Sequence, residues 1–354
     1  MTGRPFGVYV HVPFCARRCD YCAFATWTDR ADLMDAYAGA CVDELAGAEL
    51  APASSLFFGG GTPSLLPAAG LASVVAAVTL APSAEVSVEC NPDDVTPGLL
   101  AAYRAAGVTR ISIGVQSMRP HVLASLGRLH DPSVAARAAG LVAAAGFSSW
   151  SVDLIFGAVG ESDADWEATL DDVLALGPPH VSAYALTVEA GTPLAADPAR
   201  HPDDDEQAGR YLAADEALGR AGLVSYEVSS WARPGHECRH NLLYWSQGDY
   251  RGIGCAAHSH LAGRRWWNVR TPERYIERVR GGRSPEAAGE TLGPEDRRRE
   301  GLQLALRTRG GVPADALGPD ELAELDGLVE RRGDRLVLTP PGRLLGNEVA
   351  VRLR

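Results

Sequence analysis

The sequence predicts an α/β chain: a partial (β/α)6 barrel followed by a small C-terminal winged-helix-like α/β domain. Three observations carry this. Short β-branched and aromatic runs recur six times within the first 190 residues, Ala/Leu-rich stretches with helical spacing separate them, and no dinucleotide glycine fingerprint accompanies them. Strand–helix alternation gives a parallel sheet, and six such units without that fingerprint favour a barrel, open or closed, over a doubly wound nucleotide fold.

The strand-like runs are GVYVHV at 7–12, SLFFGG at 55–60, EVSVEC at 85–90, RISIGV at 110–115, WSVDLIF at 150–156 and HVSAYALT at 180–187. Helical spacing occupies the stretches around 30–50, 66–80, 97–106, 132–145, 164–176 and 204–221. Residues 223–270 break the pattern with a concentration of Trp, His and Tyr, and GGRSPEAAGETLGP at 281–294 reads as a linker. Beyond it come a helix near 295–307, a second near 319–331, and a short strand pair formed by RLVLTP and the terminal EVAVRL. The expected organisation is a core barrel over 1–235, a Trp/His-rich extension over 236–280, the linker at 281–294 and a C-terminal domain over 295–354.

Composition excludes several classes. The formal net charge of −12 makes the chain a poor binder of nucleic acid. Lysine is absent, so every basic side chain other than histidine is arginine. The first residues, MTGRPFGVYVHVPF, lack the apolar core and cleavage site of a secretory signal, and no window offers about 18 consecutive apolar residues for a membrane span. The expected location is the cytoplasm. Seven cysteines, an odd number with three inside eight residues, point to a metal or redox site before a disulfide framework.

Those three are Cys15, Cys19 and Cys22, in PFCARRCDYCAFATW directly after the first strand. Their C-x3-C-x2-C spacing offers three thiolates from one loop. A ferredoxin-type cubane takes four cysteines, so three leave one iron open to another ligand. Arg17 and Arg18 inside the loop are expected to favour the thiolate forms. A zinc site, with His11 as an awkwardly spaced fourth ligand, and three unrelated structural cysteines remain the alternatives.

Other polar residues sit where strands end. Gly59, Gly60, Gly61 and Thr62 close the second strand, where glycines permit either a tight turn or close approach of backbone to a ligand. Glu89 and Asp153 interrupt apolar strands, which is expensive unless the carboxylates are paired or ligand-bound. Gln116 ends the fourth strand, and Arg128 follows it.

Taken together, YVHVPFCARRCDYCAF, FFGGGTPSLL, VECNPDD, ISIGVQS, LGRLHDP, VDLIFG and HNLLYW resemble the radical S-adenosylmethionine (radical SAM) proteins. Within them, the resemblance is to the coproporphyrinogen dehydrogenase / haem chaperone HemW family. It implies a radical SAM barrel with a [4Fe–4S] cluster on Cys15, Cys19 and Cys22. It also implies S-adenosyl-L-methionine (SAM) held by Tyr9, Tyr21, Gly60, Gly61, Thr62, Glu89, Gln116, Arg128 and Asp153.

The family divides between a porphyrin-forming enzyme and a haem carrier. The oxygen-independent oxidases carry a further cysteine two residues past the third ligand and a long N-terminal extension. Here Phe24 occupies that position, and eight residues precede Tyr9. His240, Asn241, Tyr244 and Trp245 resemble the chaperones' H-N-x-x-Y-W motif, which implies haem contacts, and imidazole is a common axial ligand of haem iron. His258 is a second candidate ligand that could equally approach the adenosine end of the cofactor; His236 and His260 are weaker ones. The expectation is therefore a haem chaperone serving respiratory membrane proteins, with an electron donor for the cluster and homodimerisation left open. The alternative is an oxygen-independent coproporphyrinogen III dehydrogenase, which forms protoporphyrinogen IX by oxidative decarboxylation.

Overall fold

The computed structural model describes residues 5–128 and 130–353. Leu129 of the LGRLHDP segment, the first four residues and Arg354 lie outside it. Six parallel units form the core: β1 (Phe6–Val12), α1 (Met34–Ala46), β2 (Ala53–Gly60), α2 (Ala68–Ala77), β3 (Leu80–Cys90), α3 (Pro97–Ala105), β4 (Arg110–Gln116), α4 (Pro120–Ser125), α5 (Pro132–Ala144), β5 (Ser149–Phe156), α6 (Asp163–Ala175), β6 (His180–Ala185) and α7 (Asp204–Arg220). Strands β1 to β6 pair parallel and in sequence order, which leaves the barrel partial rather than closed.

Side chains alternate across a strand. In β1, Phe6, Val8, Val10 and Val12 are buried in the hydrophobic core, and Tyr9 lines the lumen. The same division runs through β2 to β6: Leu56, Phe58, Val86, Val88, Ile111, Ile113, Val152, Leu154, Val181 and Ala183 join the core. Register then stacks the lumen residues in layers. Tyr9, Phe57, Ser87, Arg110 and Ser149 are successive partners. Glu89, Ser112, Ser151 and His180 form the next layer.

The Trp/His-rich stretch extends the sheet on both edges. On one side, β7 (Val224–Glu227) and β8 (Ser230–Ala232) join β6 antiparallel. After α8 (Arg239–Trp245), β9 (Asp249–Ile253) pairs parallel with β1 on the other side. There β10 (His258–Leu261), β11 (Arg264–Asn268) and, beyond α9 (Pro272–Arg280), β12 (Glu286–Thr291) complete a twelve-stranded sheet. The segment expected to be a linker therefore carries an edge strand. Its side chains are mostly exposed, which hides it from hydrophobic patterning. Pairing with β11 and the Arg264–Glu286 and Arg265–Glu290 ion pairs hold it.

The C-terminal unit has its own core around Leu302, Leu306, Leu325, Leu336 and Val349. It comprises α10 (Pro294–Leu306), β13 (Val312–Pro313), α11 (Pro319–Glu324), β14 (Val329–Arg332), β15 (Arg335–Leu338), α12 (Pro340–Leu344) and α13 (Gly346–Arg352). Two expectations are corrected. The second helix stops at Glu324, and β14 supplies the strand that pairs with β15. The terminal EVAVRL is helical. Val349 and Leu353 are buried four residues apart while Val351 between them is 62% exposed, the spacing of one helical face.

Candidate functional site

The cysteine loop begins where β1 ends, and the backbone fixes it there. Gly61 N–H donates to Val12 O and Thr62 N–H to Phe14 O, at 2.8 and 2.7 Å. Cys15 N–H donates to Trp27 O and Trp27 N–H to Pro13 O, closing the loop at its base. His11 braces it from within: Nε2 contacts Ala25 O at 2.9 Å and Nδ1 the Tyr9 hydroxyl at 3.1 Å. Both ring nitrogens are thus engaged, so His11 is a strut of the loop rather than a fourth metal ligand.

The sequence places Gly61 where no side chain fits. A Cβ there would lie 2.7 Å from Phe14 O, 2.8 Å from Val12 O and 3.1 Å from Cys15 Sγ. Gly60 adopts φ = +108°, and a Cβ on it would strike the His11 ring. Gln116 ends β4 in the left-handed region at φ = +68°, a conformation that costs a non-glycine residue energy and recurs at functional sites.

Three free thiols face this mouth, all half-buried. Thr62 Oγ1 donates to Cys15 Sγ at 3.6 Å, and Arg128 Nη1 to Cys19 Sγ at 3.5 Å. Arg128 Nη2 is anchored on Gly114 O at 2.8 Å. Burial pushes the Cys15 and Cys22 thiols up, with the neighbouring cysteines adding to it. Arg18 opposes the rise at Cys22, in the direction expected of a loop arginine, without outweighing burial, and Arg17 is not among the causes at Cys15 or Cys22. Among the described residues, no three His, Cys, Asp or Glu side chains are grouped tightly enough to hold a single metal ion. Half-buried thiols on one loop, with hydroxyl and guanidinium donors aimed at their sulfurs and a glycine cradle beside Cys15, instead fit the larger iron–sulfur cubane with its chain-borne ligands on one side.

Below the mouth, the lumen opens as a cavity of about 300 Å³. Tyr9, Glu89 and Asp153 line it, together with Arg110, Ser112, Ser151, His180, Ser182 and Tyr184, which sequence reasoning missed. Part of their signal was present: Arg110 and Ser112 in RISIGV, Ser151 and Asp153 in WSVDLIF, and His180 and Ser182 in HVSAYALT stand two residues apart with an aliphatic residue between them. Burial and the Asp153 carboxylate push Glu89 up to about 8. Asp153 is also raised by burial, with bonds from Ser112 and Ser182 and the Arg110 charge opposing the rise; Ser112 Oγ donates to Asp153 at 2.6 Å. Tyr21, raised by burial and by Cys19, belongs to the cysteine loop.

The H-N-x-x-Y-W segment lies at the other end of this lumen. It forms α8, packed on the N-terminal halves of β1 to β3, away from the strand ends that carry the cysteines. His240 N–H donates to Glu85 Oε1 at 3.2 Å, and Arg239 Nη2 to Ser83 O at 2.7 Å. His240 is 0% exposed. Nδ1 contacts Ser55 Oγ and Nε2 the Tyr244 hydroxyl, both at 2.8 Å, and burial takes its pKa down to about 3. Asn241 and Tyr244 close the floor of the lumen, and Trp245 packs under the Arg307 guanidinium. No helix among the described residues is long and apolar enough to cross a membrane.

A partial parallel barrel with three loop cysteines at its mouth defines a radical SAM protein, and residues 9–173 match the model of the Radical SAM superfamily. Superfamily membership brings a [4Fe–4S] cluster, SAM and the need for a reductant. The chain is similar to the haem chaperone HemW of Mycobacterium tuberculosis (strain ATCC 25618 / H37Rv), at 46% identity over 99% of this chain and 95% of that one. It is 32% identical to HemW of Bacillus subtilis (strain 168) over 96% and 97% of the two chains. The chain belongs to the HemW family. Among solved structures, the coproporphyrinogen III oxidase HemN of Escherichia coli, a radical SAM enzyme, shares the fold with a TM-score of 0.86 at 23% identity, over 99% of this chain and 90% of that one.

Proposed function

We propose that this chain is a haem chaperone acting in the cytoplasm, with a radical SAM site at its barrel mouth. Cys15, Cys19 and Cys22 are the cluster ligands in this reading. The backbone at Gly60, Gly61 and Thr62, with Tyr9, Tyr21, Glu89, Gln116, Arg128 and Asp153, holds SAM. When bound, the cluster supplies an electron to the sulfonium of SAM through its open iron. The chain's own contribution is to orient. Arg128 sets a fixed cation between Cys19 and the end of β4, and Glu89 and Asp153 present acceptors to the polar parts of the cofactor from adjoining register layers. Haem passes on to respiratory proteins at the membrane. A second copy of the chain fits the same reading, supported by the exposed outer edge of β12, since an unpaired edge strand is a template for pairing.

The observation that carries the proposal is similarity along the whole chain to proteins named haem chaperones. Phe24, in place of the oxidases' additional cysteine, points the same way; it is 64% exposed. The test is to reconstitute the cluster anaerobically, then titrate haem and separately supply coproporphyrinogen III with SAM and a reductant. Saturable haem binding without turnover is expected. Catalytic formation of protoporphyrinogen IX would replace the chaperone reading with the dehydrogenase.

A further inference from the structure

The lower half of the lumen holds a charge that the SAM site does not use. Arg110 opens β4 and is 3% exposed. Its Nη1 donates to Ser149 Oγ at 3.0 Å and to His236 O at 2.8 Å, both uncharged acceptors. No Asp or Glu among the described residues forms an ion pair with it. Asp153, whose carboxyl feels the Arg110 charge, takes its hydrogen bonds from Ser112 at 2.6 Å and Ser151 at 3.3 Å. Glu89 is pushed up to about 8, so it is mostly uncharged at neutral pH. A buried guanidinium without a carboxylate is costly, and Arg110 lines the cavity of about 300 Å³.

His180, one register layer above, adds a second donor. It lines the same cavity and is 1% exposed. Its Nε2 contacts the Tyr226 hydroxyl at 2.9 Å, and that hydroxyl accepts from Cys238 N–H at 3.2 Å. The tyrosine proton, with no other acceptor among the described residues, goes to Nε2. Burial first, then Arg110 and His236, hold the ring well below its ordinary pKa. The imidazole is therefore neutral, and its one N–H is at Nδ1. That nitrogen is buried and has no hydrogen-bond partner, a state that costs free energy unless a ligand supplies the acceptor. A cation without a carboxylate and an N–H without an acceptor, on one cavity, call for one anion.

We propose that the lower lumen is a second ligand site, for a small carboxylate other than SAM or haem, whose charged end is received by Arg110 and the Nδ1–H of His180. A guanidinium matches a carboxylate with two parallel hydrogen bonds. A single negative charge suits the site better than a phosphate dianion, because Asp153 stands only two register layers above Arg110. The volume is at the lower end of the range for small-molecule sites, and Asn241 and Tyr244 close the floor. A molecule of amino-acid size fits there and a tetrapyrrole does not. The proposal rests on the radical SAM reading in one respect: SAM, held by residues nearer the mouth, lies above this ligand.

The test uses the full-length protein with its cluster reconstituted, titrated calorimetrically with acetate, glycolate and succinate, with acetamide as the uncharged control, and separately with SAM. At least one acid is expected to bind saturably, and acetamide not at all. Arg110→Gln should weaken that acid about tenfold or more, and Arg110→Lys and His180→Gln by less, all with SAM affinity unchanged. Should Arg110→Gln not fold, His180→Gln decides in its place. Unaltered acid affinity in the deciding variant would overturn the proposal, as would equal binding of acetamide or no acid binding to a wild type that binds SAM. Loss of SAM affinity with acid binding intact would also overturn it, by assigning Arg110 to the cofactor. A wild type that binds no SAM would instead remove the radical SAM reading, a distinct result.

Discussion

Arg128 donates to the sulfur of Cys19 while its other terminal nitrogen is pinned to the backbone of Gly114. One side chain therefore couples the cysteine loop to the end of β4, where Gln116 is held in a strained conformation. Arg128→Gln keeps a donor but removes the fixed charge. Charge-assisted hydrogen bonds contribute about 1.5–3 kcal/mol, so SAM affinity should fall about tenfold or more. Iron and sulfide content should stay near wild type because the three thiols remain. Equilibrium binding beside metal analysis checks this; a lost cluster with SAM affinity unchanged would contradict it.

Glu89 gives a pH signature. Its folded-state value of about 8 lies above the ordinary 4.5, so folding favours the protonated form. That stability is fully present below about pH 4.5 and is lost as pH rises toward 8. The SAM-free protein should lose on the order of a few kcal/mol through this window from Glu89 alone. Glu89→Gln removes this component, so the variant's advantage over wild type should grow with pH while its SAM affinity falls. Denaturant melts at pH 5 and pH 8.5 measure this; an equal difference at both would refute it.

Gly61→Ala places a methyl group against Phe14 O, Val12 O and Cys15 Sγ. Two of the three obstacles are backbone, so the loop must move. Cluster content after reconstitution should fall well below wild type, while far-ultraviolet circular dichroism stays the same.

His240→Ala leaves Ser55 and Tyr244 without a partner and opens a void between α8 and β2. The cost should be about 2–4 kcal/mol in urea unfolding. Cluster assembly at the far end of the strands should survive at temperatures where the variant is folded.

The core barrel was legible because its signals are local. In β1 and β2, aliphatic residues alternate with lumen residues, and the helices between the core strands carry their own spacing. The cysteine loop was legible because its three ligands are contiguous. The terminal EVAVRL was not, since Val349, Val351 and Leu353 satisfy a two-residue period as well as the four-residue step from Val349 to Leu353. Only the burial of Val349 and Leu353 in the C-terminal core decides between them. Strand β12 escaped because its partners are backbone groups and arginines of β11, which no pattern within EAAGET announces. His240 looked like a ligand because its neighbours in sequence are aromatic. Its neighbours in space, Ser55 and Glu85, come from strands about 155 to 185 residues away and make it part of the barrel floor.

The most direct test of the radical SAM site is electron paramagnetic resonance on the reconstituted, reduced protein with and without SAM. A signal from one [4Fe–4S] cluster per chain should appear, shift on adding SAM, and vanish in Cys15→Ala, Cys19→Ala and Cys22→Ala. A cluster signal indifferent to SAM, or one that survives loss of these cysteines, would contradict the assignment of this loop.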